Sequence, residues 1–191
     1  QWSQKYIGQY FNSTEGRKLL IRATFQQAKE DGVTVLEIGE DVWGLKEFFH
    51  NDIDELVESF TSAQREIAPE IELRLQIGLS RHCPISYLED CLSYFWGNKN
   101  FYSIDLYGDE FAQPIENFKG IYRRAKKEGL RLKAHVGEWG TAKDIRTAVE
   151  ELELDEVQHG IAAAGDESVI RFLAENKIRL NITPTSNVLL G

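Results

Sequence analysis

The sequence predicts an α/β fold: a (β/α)8 TIM barrel, incomplete, with about six strand–helix units in a single partial domain over residues 1–191. Three observations carry that reading. Short apolar runs alternate with longer segments of helical periodicity, as in parallel strands joined by right-handed crossovers. Neither GxGxxG nor GxxxxGK occurs, which disfavours the open sheet that binds nucleotides on a glycine-rich turn. HVGEWG at 135–140, VQHGI at 157–161 and NITPTSN at 181–187 each follow an apolar run, at the strand-to-loop junctions where barrels keep their chemistry.

The expected strands span 33–38, 71–79, 101–106, 130–136, 156–161 and 178–183. The first is an apolar run behind Gly32, a natural stop for the helix before it; the second alternates with period two. Between them, Ile53, Leu56, Val57, Phe60, Ala63 and Ile67 recur at spacings that place one apolar stripe on a helix. The same stripe returns in Ile115, Phe118, Tyr122 and Ala125, ahead of a second stop at Gly129, and in Ile145, Ala148, Val149 and Leu152. Thr141 with Asp144 has the form of a capping box at the head of the latter helix, and Asp166 caps the next. A complete barrel takes about 250 residues. Six units in 191 residues make six-eighths of one.

Composition narrows the ligand. With 42% hydrophobic and 28% charged residues the chain can bury a full core, and a net charge of −9 gives no footprint for a phosphate backbone, so nucleic-acid polymers are disfavoured. A small neutral or weakly charged substrate fits better. No apolar run approaches the roughly 18 residues of a membrane span, and no basic head with an apolar stretch marks a secretory signal, so no membrane is expected and a cytoplasmic location is. Cys83 and Cys91 are not a CxxC pair and are expected to be buried, reduced packing residues. The chain has no methionine, so residue 1 is not expected to start a reading frame.

His135 ends one expected strand, Glu138 stands three residues later on its loop, and His159 comes near the end of the next strand. A solitary histidine there is as readily a structural residue. Two on successive strands, each followed closely by a glycine that lets a ligand approach, suggest a metal centre or its surroundings. Tyr94, Phe95 and Trp96 read as packing aromatics, Trp139 as a pocket wall or loop anchor, and RRAKKEG at 123–129 as a solvated helix end.

Taken together, IDLYGDE at 104–110, HVGEWG, VQHGI and PTSNVLLG at 184–191 resemble, in order and spacing, the motifs of the adenosine deaminase family of the amidohydrolase superfamily, with VTVLEIGE at 33–40 in the place of its second strand. The resemblance runs from the second barrel strand to the seventh. It implies a metal-dependent hydrolase barrel that deaminates adenosine or a related purine nucleoside with a zinc-activated water, with the small-molecule purine as partner. His135 would bind Zn2+, Glu138 would protonate the purine at N1, His159 would orient and deprotonate the water, and Gly108 would meet the ring through its backbone amide. Asp109 and Glu110 match the family's motif, though a solvated helix start explains them equally well.

Departures from the pattern are specific. The family's HxH pair on the first strand and aspartate on the eighth are missing, while His50 and His82 cannot form HxH and are assigned to loops or helix starts without a site role. One protein ligand would hold zinc poorly. The chain is therefore expected to be inactive alone and to belong to a longer protein that supplies the first and eighth strands; open strand edges predict an edge-paired dimer. Gly39 stands where the family has an arginine, and Gln158 replaces the glycine of GHG with a side chain expected to point away from the metal. The alternatives are a barrel-derived binding or structural module without catalysis, or a related amidohydrolase acting on adenine or a nucleotide.

Overall fold

The computed structural model describes residue 8 and residues 12–190, the side chain of Leu190 excepted. Gly191, the end of the PTSNVLLG stretch, lies outside the described residues. Six strands, β1 (Val35–Asp41), β2 (Glu72–Ser80), β3 (Phe101–Tyr107), β4 (Arg131–Val136), β5 (Glu156–His159) and β6 (Arg179–Asn181), follow one another in chain order. Between and around them run α1 (Thr14–Glu30), α2 (Val42–Phe49), α3 (Ile53–Ile67), α4 (Ile85–Leu92), α5 (Lys119–Glu128), α6 (Ala142–Leu152), α7 (Glu167–Glu175) and α8 (Pro184–Leu190). This is the expected incomplete (β/α)8 barrel. No helix among the described residues is long and apolar enough to cross a membrane.

The chain divides into two compact units. The first comprises residues 1–76 and 91–101. Its α1 and α3 bury the stripes Ile21, Phe25, Ala28 and Leu56, Val57, Phe60, Ala63. Across the two helices Lys18 meets Glu55 and Arg22 meets Glu66, each at 2.7 Å, exposed pairs of the kind that contribute less than about 1 kcal/mol each. Here β1 holds Gly39 for a steric reason: a Cβ would lie 1.6 Å from the Gln76 carbonyl oxygen, so no side chain fits where the related motif has arginine. His50 caps α2 in the left-handed conformation, φ 52°, which accounts for it without a site role.

The second unit comprises residues 77–90 and 102–191. Parallel pairing is in register: Asp105, Lys133, Glu156 and Arg179 lie side by side across β3 to β6, and Leu106, Ala134, Val157 and Leu180 lie side by side one residue on. Register partners in a parallel sheet share a face, so charged and apolar rows alternate. Both rows are buried over β3 to β5: Leu106, Ala134 and Val157 are at 0% exposure, and Asp105, Lys133 and Glu156 at 4%, 5% and 2%. The capping box of Thr141 and Asp144 is present at the head of α6, Asp166 caps α7 through Ser168 and Val169, and Gly129 ends α5 with φ 84°. Cys91 is buried and Cys83 only half-buried, so the expected packing role holds for the first.

Candidate active site

Three side chains named from the sequence converge in the second unit. His135 ends β4, and its ring centroid lies 5.3 Å from that of His159 at the end of β5. Glu138, on the loop after β4, brings Oε2 to 3.5 Å from His159 Nε2. Backbone bonds tie the two loops: the Gly160 amide donates to the Val136 carbonyl at 3.0 Å and the Ala162 amide to the Gly137 carbonyl at 3.0 Å.

Strand alternation alone would not assemble this group. Val136, not His135, is the register partner of His159, so a regular strand would send the two imidazoles to opposite faces. His159 escapes by adopting the left-handed region, φ 66°, uncommon for a residue with a Cβ. Its ring is thereby turned back toward His135. Gly160 follows with φ 64°, and a Cβ there would lie 3.0 Å from Leu180 Cδ2. Gln158 is the register partner of His135 and so shares its face, contrary to the expectation that it points away.

The two histidines are held differently. Behind His135, the buried Asp105 carboxylate stands 3.3 Å from Nδ1, leaving Nε2 for a ligand. Burial opposes a charged ring, but the contact with Asp105, helped by the Leu106 backbone and Glu138, outweighs it, and the His135 pKa is raised. His159 Nδ1 lies 2.9 Å from Thr183 Oγ1, and that hydroxyl donates to Asn187 Oδ1 at 3.2 Å. With its hydrogen directed at Asn187, the Thr183 oxygen can only accept. In that arrangement a neutral His159 carries its proton on Nδ1, and Nε2, facing Glu138, is left as the basic nitrogen.

A carboxylate behind the far nitrogen is how metal-ligating histidines are oriented, so His135 fits the role of a zinc ligand. Among the described residues, however, no group of three His, Cys, Asp or Glu side chains could hold a metal ion. The described residues thus offer His135 as one ligand where a catalytic zinc site takes three or more.

Sequence reasoning undervalued Glu110. It is no solvated helix start: it is buried, 7% exposed, and its carboxylate accepts from the amides of Gly137, Glu138 and Trp139. Nothing in an amino-acid pattern signals a side chain whose partners are backbone amides of a distant loop. Asp109 is exposed and caps the Phe111 amide at 2.9 Å. Gly108 has φ 101°, and a Cβ there would lie 3.2 Å from the ring of His82, whose Nε2 accepts from the Asp109 amide at 3.3 Å. His82 thus packs on the glycine turn and is not a bystander. Beyond the acid-bearing loop lies a cavity of about 120 Å³ whose wall includes Arg81, Glu110, Phe111 and Asp144. Neither His135 nor His159 lines it.

A family model described as adenosine deaminase matches residues 5–191. A protein of Treponema pallidum provisionally named an adenosine/adenine deaminase is 39% identical over 172 residues, 90% of this chain and 57% of its own length. The adenine deaminase of Rhodospirillum rubrum is 30% identical over 181 residues, 90% of this chain and 52% of its own. Among solved structures, the adenine deaminase of Arthrobacter aurescens superposes with a TM-score of 0.77 at 24% identity, covering 92% of this chain and 54% of that one. An amidohydrolase of Burkholderia ambifaria with bound Zn gives 0.79 at 21%, covering 92% and 50%. At those identities the two structures speak to the fold alone, the strand–helix barrel. The chain spans about half the length of the curated relatives it matches.

Proposed function

The chain belongs to the adenosine deaminase family, and from that premise we propose that it carries the acid–base part of a site that hydrolytically removes the 6-amino group of a purine. The convergence of the Glu138 carboxyl and the His135 and His159 rings is the observation that supports it. His135 would serve as one metal ligand through Nε2, and the other ligands would come from outside residues 1–191. Zinc, when bound, supplies the Lewis acidity that brings the pKa of water near neutrality. His159 would take the proton of the attacking water on Nε2, the nitrogen that Thr183 leaves bare. Glu138, as the carboxylic acid, would donate to ring nitrogen N1 so that the ring accepts the electrons as the water oxygen bonds to C6; the proton held on His159 would then pass to the amine, which would leave as ammonia while the remaining hydroxyl proton returned to Glu138 and the C6 carbonyl formed. Gly108 would meet the flat ring through the backbone of its exposed turn.

The names of the Rhodospirillum and Arthrobacter relatives favour the free base adenine over the nucleoside expected from the motifs. The test is made on the full-length protein that contains this chain: zinc content, then the absorbance loss on adenine and on adenosine. Zinc, turnover of one of the two purines, and a kcat lowered about 100-fold or more in Glu138→Gln are expected. A zinc-loaded full-length protein that turns over neither would sink the reading.

A further inference from the structure

We propose that Glu110 is the positioning residue of Glu138: the loop that carries the acid is built on the Glu110 carboxylate. The proposal rests on the aminohydrolase reading for what the loop does, and on geometry alone for how the loop is held. The Gly137 amide donates to Oε2 at 2.7 Å, and the Glu138 and Trp139 amides donate to Oε1 at 2.8 and 2.9 Å. Three consecutive amides aimed at one anion form a nest, a shape that needs a left-handed step in the backbone, and Gly137 supplies it with φ 74°. Such nests usually receive a ligand's anion. This one is filled by the chain's own carboxylate, delivered from the turn after the neighbouring strand β3.

The surroundings leave the loop little latitude. A Cβ on Gly140 would lie 2.8 Å from Glu110 Oε2, so the chain closes around the carboxylate with no side chain between. A Cβ on Gly137 would lie 2.4 Å from Ile145 Cδ1, so the loop also presses on α6. Hydrogen bonds to a charged acceptor are the strong kind, and removing the carboxylate leaves three adjacent amides pointing at a buried void. The loop must then open, and Glu138 moves with it, away from its 3.5 Å approach to His159 Nε2. A displacement of about 1 Å at a reacting group can cost about 100-fold in rate. Glu110 therefore acts through the loop, as a positioning residue.

The experiment compares the full-length protein with Glu110→Gln, which keeps the size but puts an NH2 donor against amide donors, and with Glu110→Ala in the presence and absence of formate. Kinetics on adenine and adenosine are read beside amide hydrogen exchange. In Glu110→Gln, kcat should fall about 100-fold with KM within about threefold, while residues 137–139 exchange about tenfold faster and α6 keeps its protection. Formate, a free carboxylate small enough for the nest, should return about tenfold of the activity lost in Glu110→Ala. Unchanged exchange in Glu110→Gln, or faster exchange with full kcat, overturns the proposal. Glu110→Asp keeps the anion on a shorter arm; should the amide variant fail to fold, it must show the same paired losses in smaller measure, and a loosened loop at normal kcat overturns the proposal there too. Absence of turnover in the unsubstituted protein would sink the aminohydrolase reading, whereas the exchange comparison still decides whether Glu110 holds the loop.

Discussion

The ring of His159 is held from behind by Thr183. With the Thr183 hydrogen on Asn187, the hydroxyl oxygen accepts from Nδ1, an arrangement that places the basic lone pair on Nε2 opposite Glu138. Thr183→Val keeps the shape of the side chain but removes both functions, so His159 can carry its proton on either nitrogen and turn in its seat. The expected loss is about tenfold in kcat, the lower end for an outer partner of a site histidine, with near-normal activity in Thr183→Ser. The 15N shifts of the His159 ring supply the check. They should report one tautomer in the parent protein and a mixture in Thr183→Val, and an unmixed spectrum with full kcat would remove Thr183 from the mechanism.

At the scale of elements, the loop and helix after β4 work as one piece. Thr141 accepts from the Asp144 amide at 3.3 Å while Asp144 accepts from the Thr141 amide at 2.7 Å, so α6 starts three residues beyond Trp139 with its first turn fixed. Thr141→Ala removes the cap and should destabilise the fold by about 1 kcal/mol, a fall in Tm of about 2–4 °C for a chain of this size. Thermal denaturation of the two proteins measures it. Elements of this kind were readable in the sequence because capping and apolar spacing are local: all six strands and the stripes of α3 and α6 stand within a few residues of their expected places. His135, Glu138 and His159 were readable as members of one group. The left-handed turn at His159 was not, since alternation carries no backbone angle, and without it the second histidine would face away. Glu110 and Thr183 escaped for a related reason: their partners are loop amides and a ring nitrogen brought near by the fold, and no spacing along the chain records either.

For the whole molecule, the pH dependence of stability separates into two opposed contributions. Asp144 is held below the ordinary carboxylate range by hydrogen bonds from Thr141, and Asp166 by hydrogen bonds from Ser168 and Val169, so each adds stability above its unfolded pKa that is lost as pH falls through the folded value. Glu40, at the end of β1, runs the other way. It is 8% exposed, and burial raises its pKa from 4.5 to about 7 despite Arg17 Nη1 at 3.4 Å and a hydrogen bond from the Asp41 amide at 3.2 Å. Below pH 4.5 both folded and unfolded chains hold this proton, and Glu40 adds no slope. Between 4.5 and about 7 the unfolded chain has released the proton that the folded one keeps, so stability falls as pH rises. The full cost, of order 3 kcal/mol, is present above that window. Glu40→Gln stands in for the protonated acid at every pH. The variant and the parent should therefore unfold alike near pH 4, the variant should become progressively more stable from there to neutrality, and the difference should stay level beyond pH 8, by about 3 kcal/mol at most. Chemical denaturation across that range cancels the contribution of the capping aspartates, which both proteins share. A constant difference at all pH values would show that Glu40 titrates alike in the folded and unfolded chains, with Arg17 offsetting the effect of burial.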